Sequence, residues 1–127
     1  MSNRIILIVD DSLTVRQQVS LALRSAGYQI LEACDGVEGV EAMRAHAGIA
    51  MVLCDLNMPR MNGLELLETI TGDAAGPPVP VVMLTTDGSP ELISRAKRAG
   101  AKGWIVKPFQ TDLLLAAVRR IAGEASS

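Results

Sequence analysis

The chain has 127 residues, 49% of them hydrophobic and 20% charged, with a formal net charge of −2; that length and balance fit one globular domain over residues 1–127 and exclude a fibrous, disordered or disulfide-dense class. No apolar run reaches the roughly 20 residues a bilayer span needs and no charged segment leads a signal-peptide core, so a cytoplasmic protein without membrane association is expected. The charge is uneven, five Lys/Arg against eleven Asp/Glu over residues 1–87 and seven against three over 88–127, which is unlike the footprint of a nucleic-acid binder.

In chain order, RIILIVD (4–10) is a continuous apolar run of strand length, followed by VDDSLT and a segment with Val15, Val19 and Leu23 at helical spacing that Gly27 terminates. YQILEA (28–33) is a weaker strand, and Val40, Met43 and Ala47 mark a second helix. IAMVLCD (49–55) is the third strand, with Leu64, Leu67 and Ile70 spacing a helix after it, and GDAAGPP (72–78) is a loose surface connection. PVVMLTT (80–86) follows as the fourth strand. Ser89 then reads as an N-cap with Pro90 at the first helical position, Ile93 and Ala96 on one face, and Gly100 as the stop. GWIVKPF (103–109) gives a fifth strand, and Leu114, Val118 and Ile121 a final helix. Strands that are apolar throughout rather than alternating are buried on both faces. The fold expected is therefore α/β, a (βα)5 doubly wound parallel sheet of five strands. Cys34 and Cys54 lie in apolar segments without a C-x-x-C pair and read as small buried hydrophobes. His46, near the end of the second helix, reads as a solvated residue without chemistry.

In open parallel sheets functional groups gather at the carboxyl ends of the strands. Here those ends deliver Asp10 and Asp11, Asp55, Thr85 and Thr86, and Lys107. Any one of these has a plain structural explanation: an Asp pair suits a helix N-terminus, threonines are good strand formers, and a lysine at a strand end snorkels to water. Together they form an oxygen-only acidic group with one ammonium and a hydroxyl, a set that suits a hard cation such as Mg2+ and a phosphoryl group held against Asp55. A Gly/Ser/Thr-rich first loop, as a flavodoxin-like nucleotide or flavin binder needs to cradle phosphate, is replaced by VDDSLT. A phosphatase of the haloacid dehalogenase type is also disfavoured, because its D-x-D motif follows the first strand, whereas the acids here are adjacent.

VDDS, DLNMPRMNGLELL, MLTT and GAKGWIVKPF, in that order and each at a strand's end, resemble the response-regulator receiver domains, in particular their single-domain chemotaxis members. The separations of 44 residues from Asp11 to Asp55, 30 from Asp55 to Thr85 and 22 from Thr85 to Lys107 accord with that family. The resemblance covers essentially the whole chain. It implies a flavodoxin-like fold with strand order 2-1-3-4-5. It also implies that Asp55 accepts a phosphoryl group from a histidine kinase of the CheA type, and that Asp10, Asp11, Asp55 and the backbone carbonyl of Asn57 surround Mg2+. Thr85 and Lys107 would contact the phosphoryl oxygens, Pro108 would follow a cis bond, and Trp104 would occupy the position of an aromatic switch residue. The receiver would catalyse its own phosphorylation and dephosphorylation only, acting as a switch and not as a turnover enzyme.

Thr86 stands where the family generally carries Ala or Gly, and with Asn57 and Asp87 it borders the path of the hydrolytic water, so all three are candidates for setting the lifetime of the phosphorylated state. The basic residues Arg95, Lys97, Arg98, Lys102, Arg119 and Arg120 fall on the fourth helix, fifth strand and fifth helix. By resemblance this is the face that binds a target such as the flagellar motor switch. No output module follows the fifth helix, so signalling through protein contact by a monomer is expected, with a phosphate sink or a non-chemotactic relay as variants.

Overall fold

A computed structural model of the chain describes residues 4–46, 48–56, 65, 66, 68, 79–86 and 89–123. The order of elements is β1 (Ile5–Val9), α1 (Leu13–Ser25), β2 (Gln29–Ala33), α2 (Gly36–Ala45), β3 (Ile49–Asp55), β4 (Val81–Thr85), α3 (Pro90–Ala99), β5 (Gly103–Val106) and α4 (Thr111–Ala122). Glu65, Leu66 and Glu68, between β3 and β4, are also helical. The expected positions Leu64, Leu67, Ile70 and Ala47, and the 72–78 connection, lie outside the described residues. All four strand pairings are parallel and the sheet order is β2-β1-β3-β4-β5. The expected order is thus observed.

Continuous apolar strands arise because successive side chains leave a strand on opposite faces, and here both faces are covered. Leu7, Val9, Val52, Cys54, Val81 and Met83 point to one side, where Val40 of α2, Ala96 of α3 and Leu66 complete a core. Ile6, Ile8, Met51, Leu53, Val82 and Leu84 point to the other, against Val19 and Leu23 of α1 and Leu114 and Val118 of α4. The helical spacing read from the sequence therefore marks the faces that close the two cores. No described helix is long and apolar enough to cross a membrane.

Local chemistry sets the ends of the elements. Ser12 caps α1, its Oγ accepting from the Val15 amide at 3.3 Å. Asp35 caps α2 by accepting from Glu38 N at 2.9 Å, and Glu38 reaches back to the Cys34 amide at 3.1 Å, a reciprocal arrangement close to a capping box. Ser89 and Pro90 start α3 as expected, and Gly100 ends it at φ 107°, a left-handed conformation that Gly adopts without a Cβ clash. Gly39 has a different task. A Cβ there would lie 2.8 Å from Leu66 Cδ1 and 3.0 Å from Val9 Cγ2, so its missing side chain lets α2 close onto β1.

Candidate functional site

The register brings the strand ends into one layer. Val9 pairs with Cys54, so Asp10 and Asp55 follow side by side; Asp55 pairs with Leu84 of β4, and Thr85 pairs with Val106 of β5. The next residue after Val106 is Lys107, one position past the strand and not within it. The Lys107–Pro108 bond is cis, as the resemblance implies, and the Lys107 amide donates to the Thr85 carbonyl at 2.7 Å.

Lys107 turns its ammonium inward. Nζ lies 2.8 Å from Asp10 Oδ2 and 3.5 Å from Asp55 Oδ1, with side chains only 13%, 1% and 9% exposed respectively. A lysine so little exposed needs an anionic partner, and it has two. Asp11 is exposed, yet the carboxylate oxygens of Asp10, Asp11 and Asp55 approach within 4.8 Å of one another. Three carboxylates and one ammonium leave the group formally at −2, and all its donors are oxygens. This donor set fits a hard divalent cation, with Asp10, Asp11 and Asp55 as the residues that would hold it.

Thr85 is fully buried at the same edge, whereas Thr86 is exposed beside it. Trp104 is half-buried, pairs with Met83 in the sheet and packs against the core that contains Ala96 of α3. Its indole Nε1 is buried without a hydrogen-bond acceptor among the described residues. Asn57 and Asp87 lie outside the described residues, so the structure places seven of the nine expected site positions. His46 is exposed just after α2.

Several contacts were not anticipated from sequence. Arg16 Nη1 donates to the Asp10 carbonyl at 2.6 Å, while Nε reaches Glu32 Oε1 at 3.2 Å. The Ser12 amide donates to Asp10 Oδ1 at 2.8 Å. A groove of about 900 Å3 between α1 and α4, lined by Val15, Leu21, Phe109 and Leu115, also reaches Lys107. Cys34 corrects an expectation. It is half-exposed instead of buried, its Sγ lies 4.0 Å from Asp35 Oδ2, and the hydrogen bond with Glu38, followed by burial and nearby acids, pushes its thiol pKa up. Cys54 is fully buried as expected. Desolvation first, and the charges of Asp55 and Asp10 after it, push its thiol strongly up.

Comparison with known proteins agrees with this geometry. Residues 6–119 match the response regulator receiver domain family. The chain is 39% identical over 110 residues to chemotaxis protein CheY1 of Helicobacter pylori, covering 86% of this chain and 89% of that protein. It is 34% identical over 122 residues to the chemotaxis protein CheY homolog of Campylobacter jejuni, covering 95% and 94%. Among solved structures, chemotaxis protein CheY4 of Vibrio cholerae superposes with a TM-score of 0.88 at 37% identity, over 94% of this chain and 99% of that one. Fold and sequence agree, and the chain belongs to the response regulator receiver domain family.

Proposed function

We propose that the chain is a CheY-like response regulator that is phosphorylated on Asp55 by a histidine kinase and signals through phosphorylation-dependent protein binding in chemotaxis, with the flagellar motor switch as target. The observation that carries this reading is Lys107 Nζ, held 2.8 Å from Asp10 and 3.5 Å from Asp55 at the carboxyl edge of the sheet. Relatives named as chemotaxis proteins at 34–39% identity supply the pathway.

In the transfer, an Asp55 carboxylate oxygen attacks phosphorus, the oxygen–phosphorus bond forms, and the bond from phosphorus to the donor histidine's imidazole nitrogen breaks. Asp10, Asp11 and Asp55, with the Asn57 carbonyl, would hold Mg2+, which would supply charge neutralisation for the phosphoryl oxygens. Lys107 exchanges its carboxylate contacts for a phosphoryl oxygen, and the Thr85 hydroxyl donates to another. Such a transfer has a loose, charge-rich transition state, so positioning and fixed positive charge provide most of the catalysis. Phosphorylation adds about −1.5 to −2 of charge; drawing Thr85 inward opens the space into which Trp104 turns. The product is the altered protein itself, which makes the chain a switch acting in the cytoplasm.

The basic residues of α3, the turn before β5 and α4, among them Arg95, Lys102 and Arg119, then present a face for an acidic or amphipathic partner segment. Charge reversal at Arg95 and Lys102 should weaken that binding without altering phosphorylation. The primary test is acetyl phosphate with Mg2+, followed by intact mass and Trp104 fluorescence in the wild type and Asp55→Asn. One phosphoryl group gained by the wild type alone, with a Mg2+-dependent fluorescence change, is the expected result. A phosphoryl gain retained by Asp55→Asn would remove Asp55 as acceptor, and no gain in either protein would leave phosphate-independent partner binding as the function.

A further inference from the structure

Arg16 is closely tied to the acidic group, and the chemistry proposed above makes no use of it. It lies in the first turn of α1 and reaches back across the end of β1. Its planar fork serves two acceptors at once, the Asp10 carbonyl at 2.6 Å and Glu32 Oε1 on β2 at 3.2 Å. Every polar group of Asp10 is engaged. Its amide donates to the Ala33 carbonyl at 3.1 Å, Oδ1 accepts from the Ser12 amide and Oδ2 from Lys107, both at 2.8 Å, and Arg16 takes the carbonyl.

The Asp10 carbonyl and the Asp11 amide belong to one planar peptide unit. Holding the carbonyl therefore sets the direction in which the chain leaves for Asp11, which is exposed and has to bring its carboxylate within 4.8 Å of the other two. We infer that Arg16 is a positioning residue: anchored by Glu32, it fixes the Asp10–Asp11 peptide plane and so aims the Asp11 carboxylate into the cation site. This rests on the reading of Asp10, Asp11 and Asp55 as a Mg2+ site.

Charge and geometry make opposite predictions. A guanidinium next to a cation site repels the cation, so if Arg16 acted through its charge alone, its removal would tighten Mg2+ binding. If it acts by holding the peptide, removal loosens binding, and residues that orient metal ligands are typically worth about 10–100-fold in affinity. Lysine keeps the charge but carries its donors on a single nitrogen, which cannot span both acceptors as Nε and Nη1 do.

The experiment is calorimetric titration with MgCl2 alone of the wild type, Arg16→Gln, Arg16→Lys and Glu32→Gln, together with the Asp10 carbonyl 13C and Asp11 amide 15N shifts of the metal-free proteins. Arg16→Gln is expected to raise the Mg2+ Kd about tenfold or more, with Arg16→Lys between it and the wild type. Glu32→Gln should have a smaller effect, since the contact to Asp10 survives. The two resonances should move in Arg16→Gln before any metal is added. A Kd unchanged or lowered in Arg16→Gln would overturn the inference; if that variant does not fold, Arg16→Lys binding as tightly as the wild type would overturn it. A wild type that binds no Mg2+ would remove the metal-site reading and this inference with it, whereas normal wild-type binding with unaffected variants removes this inference alone.

Discussion

Replacing Lys107 with Met keeps the length and apolar stem of the side chain and deletes its charge. At an effective dielectric of ~20, the attraction of the ammonium is about 6 kcal/mol to Asp10 at 2.8 Å and about 5 kcal/mol to Asp55 at 3.5 Å. Desolvation of three nearly buried groups offsets much of this. Removing one member of such a buried set destabilises by about 3–5 kcal/mol, because the remaining charges are left uncompensated. The low end applies here, since Asp11 opens the cluster to water. Metal-free Lys107→Met is thus expected to unfold with about 3 kcal/mol less stability than the wild type. A divalent cation would replace the lost positive charge without having to compete with it, so the variant should bind Mg2+ at least about tenfold more tightly, which is about 1.4 kcal/mol. At a Mg2+ concentration of 100 times the wild-type Kd, binding stabilises the wild type by about 2.7 kcal/mol and the variant by about 4.1 kcal/mol. The gap in stability should therefore narrow by about 1.4 kcal/mol. Urea denaturation in EDTA and in Mg2+ measures all four quantities. Equal stability of the two proteins in EDTA, or a gap that widens in Mg2+, would refute the view of Lys107 as the internal counter-ion of these carboxylates.

The two thiols should behave differently toward iodoacetamide. Folded protein is expected to take up one equivalent, at half-exposed Cys34, and Cys54 should react only after denaturation. Because its pKa is raised, Cys34 holds less thiolate at a given pH than a free cysteine, so its alkylation should lag behind a model thiol near pH 8 and catch up as pH rises through its pKa; equal rates at pH 8 would contradict the raised thiol pKa. Thr86, exposed beside Thr85, is expected to hinder the attacking water, so Thr86→Ala should shorten the life of the acyl phosphate severalfold, and an unchanged decay rate by intact mass would dismiss that role. Asp35→Ala removes the side-chain cap of α2 and should lower stability by about 1 kcal/mol in thermal or urea unfolding.

What could be read in advance depended on how locally each feature is encoded. β3 was legible to the residue, because IAMVLCD is apolar until Asp55 and the first charge coincides with the end of the ladder. The clustering of Asp10, Asp55, Thr85 and Lys107 followed from topology, since parallel strands bring their carboxyl ends to one edge. Cys34 was misjudged because its environment is made by Asp35 and Glu38 of the next helix cap, and no hydrophobic period records a cap folding back over the preceding residue. Arg16, by its local sequence, is no different from any other polar position on α1. Its partners are a backbone carbonyl six residues earlier and a glutamate sixteen residues later, and this arrangement exists only once β1 and β2 lie side by side.

Gly39 bears on attempts to engineer this protein. Exchanging a helical glycine for alanine is a common stabilising step, worth about 0.5–1 kcal/mol in an open helix, and sequence-based design would select this position early. Here the new methyl would meet Leu66 Cδ1 at 2.8 Å and Val9 Cγ2 at 3.0 Å. Val9 is the last residue of β1, joined directly to Asp10. A change made on the core-facing side of α2 would thus press on the strand that presents the acidic site, and the alanine requires Leu66 and Val9 to give way or a smaller residue at 66 or 9. Positions 9, 39 and 66 form one packing unit, to be redesigned together or left alone.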